Sequence, residues 1–351
     1  MSNPQKIKGR GAQLNTKNPF LKQGYALEHF EGIDELPDPD PGTVVQAEHS
    51  KSIVNKITSP DLPFMYSINP YQGCEHGCAY CYARNVHTYW GLSAGIDFER
   101  RIIYKPQAAE LLADFFSKKS YSPSSISLSG NTDCYQPLEK KFQITRSLLE
   151  VFLKHKHPVG IITKNSLILR DIDILQELAK DNLVRVYISL TTLDESLRRI
   201  MEPRTSSSAN RLKTIEHLSD GGIPVAVMTA PVIPGLNSDE IPQLLKAAAD
   251  HGALRAGYTF VRLNGDVKEI FNDWLFKNKP DSRDKIWKLI SSGHGGNVSD
   301  SRPGIRMRGE GQVAESIRQM FKLFERKYFK GRALPDLDYS KFIRSGQLKL
   351  F

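Results

Sequence analysis

Cys74-Glu75-His76-Gly77-Cys78-Ala79-Tyr80-Cys81 is the stretch that decides the fold, because it places three cysteines in one short loop with the spacing C-x₃-C-x₂-C. Thiolates this close together are typical of a metal site. A structural zinc site usually adds a second pair of cysteines or histidines, and the remaining cysteine, Cys134, has no such partner beside it. Closely spaced cysteines also hold cubane iron–sulfur clusters. The spacing alone predicts a metal site and favours a cluster, with zinc as the open alternative. With only three thiolates, one iron would be free to bind a small molecule.

The length of 351 residues suits one barrel-sized domain with additional segments, and 40% hydrophobic residues can build its core. We find no apolar run of about 18 residues or more, and the first residues lack a signal-peptide core. We therefore expect no membrane span and a cytoplasmic location, where thiols stay reduced.

The charge is basic, with 48 Lys and Arg against 39 Asp and Glu and a formal net charge of +9. Such a charge permits binding to nucleic acid. It is equally typical of a basic protein that binds none, since no long block of like charges marks a dedicated basic arm.

Residues 1–58 are predicted to form an irregular N-terminal extension. Prolines punctuate the acidic run 31–41, and proline at this density disfavours both helix and central strand. We interpret the extension as a strap on the surface of the domain. The alternative is a flexible nucleic-acid-binding arm around Lys6, Lys8 and Arg10.

Residues 59–265 alternate short β-rich apolar runs with segments of helical periodicity, which predicts a parallel sheet of βα units. Right-handed crossovers would curl six such units into a partial (β/α)₆ barrel of the TIM type. Residues 266–333 are predicted to be a C-terminal helical region and residues 334–351 a tail. The predicted strands lie near residues 66–69, 125–129, 159–163, 184–189, 225–229 and 258–263.

Polar residues follow the predicted strands. The cysteine loop follows the first strand, residues 129–133 follow the second, Lys164 follows the third and Ser189 ends the fourth. Because the βα loops of a parallel barrel converge at one face, this pattern predicts a binding site there.

The cysteine loop, with Tyr80 just before its third cysteine, resembles the cluster loop of the radical S-adenosylmethionine (SAM) superfamily, and the resemblance covers roughly residues 60–265. It implies a [4Fe-4S] cluster on Cys74, Cys78 and Cys81, SAM at the unique iron, and an electron donor such as flavodoxin or ferredoxin. Reductive cleavage of SAM would then yield methionine and a 5′-deoxyadenosyl radical, which abstracts hydrogen from a substrate.

Within that superfamily the sequence resembles the branch that includes the spore photoproduct lyases, which repair a thymine dimer in DNA. The second strand loop of that branch has a small-residue-then-Asp pattern, and a similar run occurs here. By this resemblance Lys164 reaches the SAM carboxylate, Ser189 adds a hydroxyl bond and Tyr80 stacks on adenine. The implied cofactor-binding residues are Tyr80, Ser129, Gly130, Asn131, Thr132, Asp133, Lys164, Ser189, Glu202 and Arg204.

Other interpretations stay open for several of these residues. Lys164 could be a solvated strand end, Glu202 and Arg204 could be surface charges at a helix end, and Tyr80 could pack in the core. His76 is expected to lie outside the metal site, near its ligands or in solvent.

Tyr82 and Cys134 are the implied catalytic residues. Tyr82 could relay a hydrogen atom, with core packing as the alternative. A cysteine in the second strand loop of the lyase returns hydrogen to the product radical, but in this chain Gly130 or Asn131 stands at that place and Cys134 follows later. The difference puts dimer repair in question, and Cys134 could instead be a buried small hydrophobe.

Two further stretches point to partners. The glycine-rich loop 302–311 carries Arg302, Arg306 and Arg308, which are candidates for phosphate contacts or for a solvated loop. The last five residues resemble the pentapeptide by which bacterial polymerases and repair proteins dock on the sliding clamp, although Lys349 departs from the usual residue. A tail packed on its own domain is the alternative. The implied clamp-binding residues are Gln347, Leu348, Leu350 and Phe351.

The sequence therefore predicts a radical SAM enzyme of lyase or oxidoreductase type, with a DNA lesion or a nucleotide as its leading substrate class. Radical modification of a peptide or a small metabolite is the first alternative. A non-catalytic, zinc-stabilised nucleic-acid-binding protein is the second.

Overall fold

A parallel sheet of successive βα units forms the centre of the molecule. The computed structural model describes residues 6–21 and 42–344. Within these ranges the strands are β1 (Val44–Ala47), β2 (Val54–Lys56), β3 (Tyr66–Ile68), β4 (Tyr71–Gln72), β5 (Arg101–Tyr104), β6 (Ile126–Leu128), β7 (Val159–Thr163), β8 (Val184–Ser189), β9 (Val225–Val232) and β10 (Arg255–Phe260). The α-helices are α1 (Asp97–Arg100), α2 (Ala108–Ser117), α3 (Glu139–Phe142), α4 (Ile144–Lys154), α5 (Ile172–Lys180), α6 (Glu195–Met201), α7 (Ser208–Asp220), α8 (Ile241–Asp250), α9 (Val267–Asn278), α10 (Arg283–Ser292) and α11 (Gly311–Tyr328). Short 3₁₀ helices span Tyr82–Trp90, Ser166–Asp171, Ser238–Glu240 and Pro280–Ser282.

The main sheet has seven strands in the order β10-β9-β8-β7-β6-β3-β2. Strands β3, β6, β7, β8, β9 and β10 pair in parallel with their neighbours, and only β2 pairs antiparallel, at the edge beside β3. Each of these parallel strands overlaps one of the predicted strands. The sheet ends at β2 and β10, so its backbone hydrogen bonds form an open, partial barrel as predicted.

Local sequence explains why these elements form. The β8 run Val-Arg-Val-Tyr-Ile-Ser is apolar at alternate positions, and Val184, Val186 and Ile188 are buried. Helix α4 buries one face at helical spacing through residues such as Leu148 and Phe152. Helix α6 begins where the Asp194 carboxylate accepts hydrogen bonds from two backbone N–H groups of the first turn. These elements therefore follow from short-range patterns.

The N-terminal extension is partly regular, which the sequence did not predict. Strand β1 pairs in parallel with β5 in a second sheet of order β1-β5-β4, and β2 joins the main sheet. Strand β1 takes its hydrogen-bond partner from a segment far along the chain, so a local pattern could not reveal it, whereas β2 pairs with the nearby β3. Residues 10–12 are buried against the domain, as expected for a strap.

The predicted C-terminal helices are present as α9, α10 and α11. After them the chain runs across the ends at which β7 and β8 begin: the Asp338 N–H donates to the Asn182 carbonyl at 3.1 Å, and the Ile343 N–H donates to the His155 carbonyl at 2.8 Å. The first part of the tail thus packs on its own domain. The clamp-like residues Gln347, Leu348, Leu350 and Phe351 lie outside the described residues.

Among the described helices, none has the length and apolar character needed to cross a membrane.

Candidate functional site

The cysteine loop follows β3 and β4 at the end of the barrel where the parallel strands finish. All three of its cysteines are free thiols; Cys74 and Cys78 are buried and Cys81 is partly buried. Burial raises the pKa of each of them. A bound metal would oppose this effect, because its charge favours the thiolate. The three free, closely spaced thiols themselves are a donor set that fits an iron–sulfur cluster.

Cubane clusters bind each thiolate through a different iron, so their ligands do not converge on one ion. Among the described side chains, no group of three or more His, Cys, Asp or Glu is arranged to hold a metal ion.

The N-terminal segment supports the cysteine loop. This contact was not predicted from the sequence. The Glu99 carboxylate accepts the N–H groups of Gly11 at 3.1 Å and Ala12 at 2.7 Å, and it pairs with Arg84 at 2.5 Å. Arg84 Nε in turn donates to the Cys78 carbonyl at 3.0 Å. Both charged side chains are fully buried. A buried ion pair thus links the N-terminal segment to the cysteine loop.

Gly11 lies directly against this loop. A Cβ atom added at Gly11 would stand 1.7 Å from the carbonyl oxygen of Gly77, so any side chain would force the two segments apart. Gly77 itself has φ 67°, in the left-handed region that favours glycine. Glycine near the start of the chain was the only signal in the sequence for this contact.

Asp133 joins the cysteine loop to two strand ends. Its carboxylate accepts the Thr163 hydroxyl and the Lys164 N–H, both at 2.8 Å, and lies 3.3 Å from His76 Nδ1. Burial acts to raise the pKa of Asp133, but His76 and the hydrogen bonds from the N–H groups of Lys164 and Tyr135 outweigh it and lower the pKa. His76 also lies 3.2 Å from the Asn165 amide, so it is a buried partner of the loop rather than a solvent-facing residue.

Glu202 is the centre of a second buried network. Its carboxylate accepts hydrogen bonds from the hydroxyls of Tyr80 and Thr191 and pairs with Arg211 at 2.6 Å. Lys164 Nζ lies 4.0 Å from the same carboxylate and 5.9 Å from the centre of the Tyr80 ring. Glu202 is fully buried and is not a surface charge. Its predicted cofactor contact stays a prediction; the structure shows it holding Tyr80 in place.

The loop after β6 has a constrained backbone. Ser129 has φ 75° and its hydroxyl accepts the Cys134 N–H at 2.6 Å. A Cβ atom at Gly130 would stand 2.7 Å from Ser67 Cβ, so the close approach of β3 requires glycine there. The next two residues bond to the β3–β4 segment: Asn131 through its N–H to Asn69 Oδ1, and Thr132 through its hydroxyl to the Tyr71 carbonyl.

Tyr82 bridges the mouth of the barrel. Its side chain is 47% exposed, and its hydroxyl donates to the Gly130 carbonyl at 2.8 Å. On its other side the guanidinium of Arg262 lies 5.5 Å from the centre of the ring. Burial of part of the side chain and the neighbouring Cys81 raise the pKa of Tyr82 to about 12, whereas Arg262 acts to lower it. A neutral, exposed phenol beside Cys81 is therefore placed where a substrate can reach it.

The remaining predicted site residues differ in surroundings. Cys134 is fully buried in the core, and burial raises the pKa of its thiol; its hydrogen-donor role stays a prediction. The Ser189 carbonyl accepts a hydrogen bond from Arg211, and the residue is buried. Arg204 contacts the cysteine loop through its N–H on the His76 carbonyl and its guanidinium 3.6 Å from Glu75.

The family model of the radical SAM superfamily matches residues 68–248, which include the cysteine loop, the strand-end loops and both buried networks. The chain belongs to the radical SAM superfamily. This superfamily uses a [4Fe-4S] cluster and SAM, so the predicted family, fold and cofactors are confirmed. Cys74, Cys78 and Cys81 are the residues that would hold the cluster.

Relatives of this radical SAM protein occur in distant organisms. An uncharacterised protein of Mycobacterium tuberculosis is 31% identical over 246 residues, which cover 69% of this chain and 72% of that protein. An uncharacterised protein of Methanocaldococcus jannaschii is 27% identical over 221 residues, covering 63% of this chain and 79% of that protein.

Solved structures share the fold. Spore photoproduct lyase complexed with dinucleoside spore photoproduct has a TM-score of 0.60 at 14% identity, covering 82% of this chain and 80% of that one. A double mutant of the same lyase with bound AdoMet and dinucleoside spore photoproduct has a TM-score of 0.57 at 13% identity, with the same coverage. At this identity the likeness concerns the fold alone.

Proposed function

We propose that this radical SAM protein cleaves SAM reductively and abstracts hydrogen from a nucleic-acid substrate, either a DNA lesion or a nucleotide. The observation that carries the proposal is the free, closely spaced trio Cys74, Cys78 and Cys81 at the mouth of a partial barrel of the superfamily. When bound, the cluster and SAM supply the one-electron chemistry.

The chain's own residues position and enclose that chemistry. Glu202 holds the Tyr80 phenol, and Asp133 holds His76 and the start of the Lys164 segment. Lys164 is only slightly exposed beside Tyr80, where its ammonium can bind the SAM carboxylate through a charge-assisted hydrogen bond. Because these contacts fix the cysteine loop at several points, they would keep the cluster and SAM correctly positioned relative to each other.

Two features support a nucleic-acid substrate. The net charge is +9, which favours a polyanion, and the lyase that shares the fold was solved with a dinucleoside photoproduct. A peptide or a small metabolite is the alternative substrate. An assay for 5′-deoxyadenosine with and without damaged DNA distinguishes it from a DNA substrate.

The deciding experiment is an anaerobic assay for 5′-deoxyadenosine on reconstituted protein, with and without ultraviolet-damaged DNA. We expect wild type to form 5′-deoxyadenosine and Cys78→Ala to form none, because one cluster ligand is lost. Colourless protein with stoichiometric zinc and no acid-labile sulfide would refute the proposal. Activity that never depends on DNA would leave SAM cleavage standing and exclude a DNA lesion as the substrate.

Cys134→Ala tests the proposed hydrogen donor separately. Cys134 is not part of the cysteine loop, so we expect iron content to match wild type while the yield of product from ultraviolet-damaged DNA falls, because the product radical would no longer receive a hydrogen atom from this thiol. Unchanged product in Cys134→Ala would make this thiol a core residue, in keeping with its complete burial.

Partners are proposed from the sequence. Docking on the sliding clamp through the last five residues is tested by a pull-down that compares full-length protein with protein lacking residues 347–351. Equal recovery of clamp would exclude that role. An electron donor of the flavodoxin or ferredoxin type is tested by replacing chemical reductant with each protein in the SAM cleavage assay.

A further inference from the structure

Arg262 lies next to the candidate site, and the functions proposed so far do not use it. The residue follows β10 in a segment fixed on both sides, where the Val261 N–H donates to the Val232 carbonyl at 3.0 Å and the Leu263 N–H donates to the Val298 carbonyl at 2.9 Å. Its guanidinium lies 5.5 Å from the centre of the Tyr82 ring. Since Tyr82 directly follows Cys81, the cation is one aromatic side chain away from the cysteine loop.

The guanidinium of Arg262 has no hydrogen bond and no ion pair with any part of the chain that the structure describes; its contact is the Tyr82 ring. An arginine carries five N–H donors, and an aromatic face supplies a cation–π attraction but no acceptor for them. The side chain is partly buried, so water can solvate it only incompletely, and a charged group in that position favours an ionised partner.

The neighbouring arginines are already engaged. In the glycine-rich loop, Arg302 pairs with Asp300 at 2.6 Å and with Glu310 at 2.5 Å, and Arg306 pairs with Asp61. Two of the three arginines that the sequence offered for phosphate contacts therefore stabilise the loop itself.

Arg306 nevertheless adds positive charge beside Arg262. Burial lowers the pKa of Arg262 and the charge of Arg306 lowers it further, while Tyr82 and Asp61 act in the opposite direction. Two guanidinium groups, of Arg262 and Arg306, and one carboxylate, of Asp61, thus lie at this edge of the barrel mouth. An incoming anion would balance the excess positive charge.

We propose that Arg262 binds a phosphate group of the substrate and holds the substrate over Tyr82, beside the cysteine loop. A guanidinium presents paired N–H groups that match phosphate oxygens in a bidentate arrangement. The inference rests on the proposed function, because it names the substrate chemistry that the same mouth would receive. The SAM carboxylate is the other anion at this site, but Lys164 is its expected partner.

The test measures binding rather than turnover. The probe is a fluorescein-labelled single-stranded oligothymidylate, titrated against reconstituted protein by fluorescence anisotropy at several salt concentrations. We expect Arg262→Gln to weaken binding about ten- to a hundredfold, as for the loss of one charge-assisted contact. The slope of log K against log salt should fall in magnitude by about 0.7, the value for one phosphate contact on a single strand.

Arg283→Gln is the matched control, because it removes the same charge from α10, where Arg283 contacts Asn272 and Asp284. We expect it to bind like wild type. Arg262→Lys keeps the charge but not the paired donors, so it should bind with intermediate affinity and an unchanged salt slope; it also provides a second variant if Arg262→Gln does not fold.

SAM binding, measured by equilibrium dialysis, separates the two anions. Weaker SAM binding by Arg262→Gln with unchanged oligonucleotide binding would assign Arg262 to the SAM carboxylate and overturn the proposal. Oligonucleotide binding equal in Arg262→Gln and Arg283→Gln, or absent in wild type, would also overturn it. A protein that binds the oligonucleotide through Arg262 yet cleaves no SAM would refute the proposed function alone.

Discussion

Glu202 connects the cysteine loop to the strand ends at the scale of single residues. Its carboxylate holds Tyr80 from the loop, Thr191 from the segment after β8 and Arg211 from α7. Burial acts to raise the pKa of Glu202, but the charges of Arg211 and Lys164 outweigh it and hold the pKa at about 2. The carboxylate is therefore ionised at neutral pH, and its negative charge balances the buried guanidinium.

Replacing this charge should be costly. In Glu202→Gln the buried Arg211 loses its ionic partner, and breaking a buried pair in this way lowers the free energy of unfolding by roughly 3–5 kcal/mol. Urea denaturation followed by circular dichroism measures the change. Glu195→Gln is the control, since Glu195 pairs with Arg198 while 35% of its side chain is exposed, and it should change stability by about 0–1 kcal/mol. If Glu202→Gln and Glu195→Gln lowered the free energy of unfolding equally, Glu202 would not be the stabilising ionic partner of the buried Arg211.

The N-terminal segment acts at the scale of elements. Its backbone donates to Glu99, which pairs with Arg84, and Arg84 bonds to the carbonyl of Cys78. The segment thus packs beside the cysteine loop, although residues 13–73 separate the two in the chain. The described part of the predicted strap lies against the domain and is linked to the cysteine loop through Glu99 and Arg84.

Gly11→Ala should separate the segment from the loop, because the new Cβ would stand 1.7 Å from the Gly77 oxygen. Overpacking of this kind costs roughly 1–3 kcal/mol, and we also expect less iron per chain after anaerobic reconstitution and gel filtration. Gly160→Ala is the matched control in β7, where the nearest atom to an added Cβ is 3.8 Å away. Wild-type iron content in Gly11→Ala would show that the segment does not support the cluster loop.

At the scale of the whole molecule, the C-terminal segment that contains Asp338 and Ile343 covers the ends at which β7 and β8 begin. Phe342 packs on an aromatic group that includes Phe116, Tyr121 and His157. The His157 ring is fully buried; its Nε2 lies 2.7 Å from the Tyr121 hydroxyl and its Nδ1 lies 2.8 Å from the Pro158 carbonyl. These two bonds suit the neutral imidazole with the proton on Nδ1.

This arrangement predicts acid sensitivity. Burial lowers the pKa of His157 from 6.5 to about 4, so between these values the unfolded chain binds a proton that the folded chain does not. Stability is then complete above pH about 6.5 and falls as the pH drops towards 4, by roughly 3 kcal/mol at about 1.4 kcal/mol per pKa unit. Urea denaturation at pH 7, 6, 5 and 4.5 measures this fall.

His157→Gln should show a shallower decline with falling pH, so the stability difference between wild type and variant should shrink as acid is added. His217→Gln is the control, since His217 is exposed on α7, and its curve should run parallel to that of wild type. Parallel curves for both variants would remove His157 as the source of the acid sensitivity.

The family, the fold and the cofactors could be predicted because a local pattern in the chain carries them. The spacing of Cys74, Cys78 and Cys81 and the run 129–133 were visible in the chain, and the family, fold and cofactors that they imply are confirmed. Glu99, Arg84 and Arg262 were missed, because single charged residues in unremarkable surroundings carry no signal until a distant segment packs on them.

The sequence by itself determined the strands and crossover helices of the parallel sheet. Alternating apolar residues predict strands and helical spacing predicts the crossovers, since each depends on side chains only a few positions apart. The order of the parallel strands follows as well, because right-handed βα crossovers place successive strands side by side. The cysteine spacing predicted the metal site for the same reason: its proposed ligands are near neighbours in the chain.

Only the tertiary structure decided which distant groups meet. Gly11 bonds to Glu99 across 88 positions, and Tyr80 bonds to Glu202 across 122. The Arg262 cation stacks on Tyr82 from the far end of the barrel sequence. A buried polar group needs a hydrogen-bond partner, and the packed arrangement of the whole chain, rather than any local pattern, decides which group becomes that partner. The cysteine loop could therefore be predicted from the sequence, whereas the residues that hold it in place could not.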